Sequence, residues 1–207
     1  MTVQDAADNT QTSRMRLLNA GKTLFAKNGY ENTSTAAIAR EAGSSESQLI
    51  RYFGGKAGLL EAIFNESWTA LNAEVDGYVA DTQHGREAIL RLLTLMVQAF
   101  NRDHDIAFLF LFEGRRTRPG SPEVHLSKGF TQFMTVVDAQ IERGREDGSF
   151  RKDLDPRVLS SAILGSAEGM VRDRIMSERA GETTHPFTDE NVARAFAAIV
   201  NGLRPSS

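Results

Sequence analysis

Residues 35–56 read TAAIAREAGSSESQLIRYFGGK. Ala36, Ile38, Ala39 and Ala42 recur at helical spacing, so a short helix is predicted over Thr35–Ala42. Gly43 follows and can take the positive φ that stops a helix sharply. Ser44 and Ser45 are candidate N-caps for a second helix over Glu46–Phe53, with Gln48 three residues after Ser45 as in a capping box. That helix is expected to bury Leu49, Ile50 and Phe53 and to turn Ser47, Gln48, Arg51 and Tyr52 outward. Two helices joined by a tight glycine turn, the second carrying polar groups suited to base edges, make a helix-turn-helix.

The same periodicity extends in both directions. Upstream, Leu17, Leu18, Gly21, Leu24 and Phe25 form one face of a helix over Ser13–Asn28 that Gly29 stops. Residues 1–12 are polar, lack the pattern of a signal peptide, and are expected to form a disordered arm. Downstream, Gly54-Gly55 is a turn, and a long helix from Lys56 to Val79 should bridge a head, residues 13–55, to a body, residues 56–207. In the body, helices are expected over Arg86–Arg102, around Ile106–Phe112, over Glu123–Asp147, from Pro156 onward, and from Thr188 or Asp189 to Leu203. The apolar run Ile106–Phe112 could be a buried strand by composition, but no partner strand is in sight. Arg118–Pro122 reads as a break. The predicted fold class is all-α, about nine helices, with an N-terminal three-helix helix-turn-helix domain and a C-terminal helical bundle.

Composition narrows the function. The chain has 207 residues, 41% hydrophobic and 25% charged, as in ordinary globular proteins. It has no cysteine, which removes disulfides, thiolate catalysis and Cys-ligated zinc and fits a reducing cytoplasmic setting. No apolar run reaches the ~18–20 residues that span a bilayer. Net charge is −3, but residues 10–58 hold seven Lys or Arg against three acids. A basic head on an acidic body can approach nucleic acid by one end. The four histidines, His84, His104, His125 and His185, have no metal-ligand spacing, and no nucleophile elbow, phosphate loop or HExxH helix is present. Neither an enzyme nor a bound metal or cofactor is expected.

Residues 17–63, LLNAGKTLFAKNGYENTSTAAIAREAGSSESQLIRYFGGKAGLLEAI, resemble the TetR family of bacterial transcriptional repressors. The order is an amphipathic helix ending F-A-x-x-G-Y, a Thr-rich linker, I-A-x-x-A-G, a Ser-started helix ending Y-F, and a Lys opening the next helix. Two positions depart from the family's pattern. Ser44 stands where an apolar residue is usual, and Ile50 where Tyr is common. The resemblance implies that the helix begun by Ser45 enters the major groove of an operator. Ser47, Gln48 and Arg51 would then reach base edges, Gln suiting adenine and Arg guanine. Tyr52 and Lys56 would contact phosphate, and Thr33, Ser34 and Thr35 a second phosphate.

One such head reads too few base pairs to find a genomic site, so a two-fold dimer on a palindromic operator is expected. Gly165 and Glu168, with Phe196, Ile199 and Leu203, are the expected dimer contacts, in a four-helix interface. The resemblance also implies a small-molecule effector. Met96, Phe100, Phe108, Phe112, Phe130, Phe133, Met134 and Met170 could line an apolar cavity for a hydrophobic or aromatic ligand. Two other readings fit the same residues. One is a ligand-independent DNA-binding regulator; the other is a small-molecule carrier without DNA affinity.

Overall fold

In the computed structural model, residues 3–114 and 128–205 are described. Among them are nine α-helices and no strand: α1 (Val3–Asn28), α2 (Thr35–Glu41), α3 (Glu46–Phe53), α4 (Lys56–Val79), α5 (Gly85–Arg102), α6 (His104–Phe108), α7 (Lys128–Glu146), α8 (Pro156–Arg179) and α9 (Asp189–Asn201). The all-helical expectation holds. The apolar run after Ile106 is helical, but α6 passes directly into a π-helical turn, Leu109–Glu113. Helix α1 starts at Val3 rather than Ser13, so residues expected in an arm continue the helix. The expected break at Arg118–Pro122, the expected first turn of α7 and His125 lie outside the described residues.

The chain divides into two compact units whose boundary differs from the expected head and body. The first unit takes the chain as far as Ser67 together with the segment that begins at Phe108; Trp68–Ala107 and the chain from Lys128 onward make the second. Helix α4 therefore contributes its first half to one unit and its second half to the other.

In the first unit, Leu17, Phe25, Ile38, Leu49, Leu59 and Ile63 form a core with almost no exposed surface. Gly21 of α1 lets α4 come close, since a Cβ there would lie 2.6 Å from Leu59 Cδ2. The π-helical turn packs on α1. Its Phe110 stacks on Phe64 of α4, ring centroids 5.0 Å apart.

In the second unit, α5 lies against α7 and α9, and α8 packs on α7. The first contact is close because two glycines meet: a Cβ on Gly85 would fall 2.3 Å from the Gly144 nitrogen and from the Gln140 carbonyl oxygen. Ile89, Leu92, Phe133, Val137, Ile163 and Val200 fill the space between these helices. Trp68 closes one side, its ring 5.3 Å from Phe130 and 5.5 Å from Phe133. No described helix is long and apolar enough to cross a membrane.

Candidate nucleic-acid interface

Local chemistry sets the helix-turn-helix as its residues predict. Ser34 caps α2, accepting the Ala37 N–H at 3.1 Å, and Ser45 caps α3, accepting the Gln48 N–H at 3.2 Å. Gly43 adopts φ +57° between the helices, and Gly54 adopts φ +72° after α3. Each would strain an L side chain, so both turns depend on glycine.

Helix α3 buries only Leu49. Ser47, Ile50 and Arg51 lie on its exposed face at i, i+3 and i+4. Ile50 was expected in the core; it is instead 56% exposed. Phe53 is half-buried beneath the Arg14 guanidinium, 5.2 Å from the ring centroid. Arg14 in turn pairs with Glu66 at 2.5 Å, so α1 grips both α3 and α4.

Several expected DNA contacts are engaged within the protein. Thr33 is buried, its hydroxyl donating to the Gly29 carbonyl at 2.8 Å and to the Leu24 carbonyl at 3.2 Å. The Thr35 hydroxyl donates to Glu46 at 2.7 Å, joining α2 to α3. Lys56 Nζ donates to the Tyr30 carbonyl at 2.9 Å and stands 4.3 Å from the centre of the Tyr30 ring. Lys56 therefore fastens the start of α4 to the turn after α1, a role its sequence position does not disclose. Gln48 does not complete the capping box; its side-chain oxygen accepts from Ser44 Oγ at 2.5 Å. That bond uses one lone pair of the Gln48 oxygen; a second lone pair and two amide N–H donors are left over. Arg51 donates to the Tyr52 hydroxyl at 2.8 Å and lies over its ring. The guanidinium keeps further donors facing outward.

The eight residues expected to line an effector cavity are drawn from both units. Phe108 and Phe112 stack on each other at 4.7 Å and belong to the first unit. Met96, Phe100, Phe130, Phe133, Met134 and Met170 belong to the second. Of these, Phe133 lines an apolar void of about 10 Å³ with Ile89, Leu92, Leu93, Val137, Ile163 and Leu164, barely room for a water molecule. Among the expected dimer contacts, Phe196 is buried against its own subunit and Leu203 and Glu168 are half-buried, while Gly165 and Ile199 are exposed. His104 and His185, distant in sequence, both approach Glu178, at 3.4 and 3.8 Å.

Residues 17–63 match the bacterial regulatory proteins of the tetR family, and residues 64–186, more than half the chain, match the C-terminal region of YsiA-like proteins. The chain belongs to the TetR family of transcriptional regulators. Members of this family bind operator DNA, typically as homodimers, and respond to small-molecule effectors.

The HTH-type transcriptional repressor KstR2 of Rhodococcus jostii is 28% identical over 174 residues, covering 83% of this chain and 85% of that protein. The fatty acid metabolism regulator protein of Bacillus subtilis is 19% identical over 165 residues, 80% of this chain and 84% of that protein. The fold is shared with the fatty acid degradation regulator FadR of Bacillus halodurans, with a TM-score of 0.78 and 21% identity, over 91% of this chain and 98% of that one. FadR of Bacillus subtilis, solved with stearoyl-CoA, gives a TM-score of 0.74 at 18% identity, over 92% and 97% of the two chains. These relatives are regulators rather than enzymes.

Proposed function

We propose that this regulator is a cytoplasmic repressor that binds a palindromic operator as a dimer and leaves it when a hydrophobic acyl thioester enters the second unit. The observation that carries the DNA end is the exposed face of α3. Ser47, Ile50 and Arg51 are free of core duties and stand on a helix capped by Ser45 and bounded by glycine turns at Gly43 and Gly54. Ser47, Arg51 and the free end of Gln48 supply groove contacts; backbone amides at the starts of α2 and α4 supply phosphate contacts.

Dimerisation is assigned to α8 and α9. Val158 (61% exposed), Ala162, Gly165 and Met176 (52% exposed) recur every three to four residues or multiples of that along the outer face of α8, and Ile199 (38% exposed) adds to it from α9. A Cβ on Gly165 would meet nothing within 4 Å in its own chain, which leaves room for a second helix. Phe196 is not part of this face because the subunit core already uses it.

The effector class is supported by the stearoyl-CoA held by the Bacillus subtilis relative and by the apolar interior of the second unit. Since the void beside Phe133 is only about 10 Å³, a long acyl chain has to part α5, α7 and α8. A ligand that binds the parted state more tightly than the packed one shifts the population toward it, by no more than that difference in affinity.

Selection from a random duplex pool tests the reading. A recovered palindrome whose binding weakens steeply with salt, and from which stearoyl-CoA releases the protein, is expected. Failure to enrich any sequence, with no salt-dependent DNA binding, overturns the DNA assignment in favour of a carrier. Enrichment without release by any acyl-CoA overturns the effector assignment alone.

A further inference from the structure

Ile50 is the odd member of the α3 face. It is 56% exposed, although a β-branched residue is a mediocre helix former and α3 has only eight residues. The core does not use it, since Leu49 is the buried side chain of this helix. Its neighbours on the exposed face, Ser47 and Arg51, can hydrogen-bond to bases; Ile50 cannot. Gln48 and Arg51 also bond within the protein, to Ser44 and Tyr52.

In the major groove every base pair offers donors or acceptors, and one apolar group stands among them, the 5-methyl of thymine. Isoleucine pressed against a polar edge would strip its water and return no hydrogen bond. Against the methyl, two apolar surfaces leave water together.

We propose that Ile50 is a specificity-determining residue that reads one thymine per half-site through its 5-methyl group, beside the base that Arg51 contacts. This rests on the operator-binding reading above and adds to it a requirement that hydrogen-bonding side chains cannot supply. It also gives a physical meaning to the departure from the tyrosine common at this position.

The experiment uses the full-length protein and the operator selected from the random pool. Each thymine of the half-site is replaced in turn by deoxyuridine, which removes the methyl and nothing else. At one thymine the wild-type protein should lose about fourfold in affinity per half-site. Exchanging that A·T pair for G·C should weaken binding, and 5-methylcytosine, which restores a methyl at the same place, should recover part of it. Ile50→Ala should bind the thymine and deoxyuridine operators equally, with unchanged helicity by circular dichroism. If Ile50→Ala has no measurable binding, Ile50→Val must keep the methyl preference; its loss there overturns the proposal. Equal wild-type binding to every deoxyuridine operator, or full methyl dependence in Ile50→Ala, also overturns it while leaving operator binding intact. Absence of any DNA binding overturns both readings.

Discussion

Gly58 shows how much a single missing side chain can matter. A Cβ at this third residue of α4 would lie 1.8 Å from the Phe53 carbonyl oxygen, a backbone atom that cannot step aside. Helix propensity alone favours alanine there by about 1 kcal/mol, and the steric term must exceed it. Gly58→Ala is therefore expected to destabilise the protein by about 1–3 kcal/mol, read as a lowered urea midpoint. At the same scale, Arg51 has a proposed reading role, while Lys56 fastens α4 to the turn after α1. Arg51→Ala should cost about 1–3 kcal/mol of operator binding and relax one base position in a binding-site selection. Lys56→Ala should instead lower the thermal midpoint, because it frees the start of α4 from the Tyr30 carbonyl. It should leave the salt slope of DNA binding changed by less than about one unit; a full unit would mean that Lys56 contacts phosphate after all.

Among the elements, α5 depends on a distant segment for its cap. His84 at its N-cap makes no side-chain capping bond. Asp147 accepts the Gly85 N–H at 2.8 Å, and Ser149 Oγ accepts the Arg86 N–H at 3.3 Å. Burial by itself would raise the pKa of Asp147, but hydrogen bonds from the Ser149 side chain and from the Gly85 and Ser149 backbone, with nearby His84, hold it below the ordinary aspartate value. A carboxylate whose pKa is depressed in the folded state stabilises the fold above its unfolded value. That contribution is lost as pH falls from the ordinary aspartate range through the folded value. Asp147→Ala should cost about 1 kcal/mol near neutral pH. It should also flatten the decline of stability in acid, measured by urea unfolding between about pH 5 and pH 2. An unchanged acid profile would show that the cap at Asp147 does not couple to stability.

For the whole molecule, the proposed operator binding calls for two copies. Gly165→Arg is a clean probe, since the site is open within its own chain and arginine is the better helix former. The subunit should keep its fold, sediment as a monomer at micromolar concentration, and lose most operator affinity because each half-site is then bound alone. A dimer that persists in this variant would move the interface off the outer face of α8.

The starts of α3 and α9, the glycine turns and the helical repeat of the longer elements were legible along the chain. Each depends on neighbours within about four residues, through caps, allowed φ values and helical repeat. For the same reason the helix-turn-helix and its tie to the TetR family could be read from residues 17–63 alone. Tertiary contact decided the rest. It drew Thr33, Thr35, Lys56 and one end of Gln48 into internal bonds, turned Ile50 outward, gave Phe196 to the subunit core, and joined the segment from Phe108 to the first unit. Those outcomes depend on partners remote in the chain or on which face of a short helix finds a neighbour, and local patterns carry no record of either.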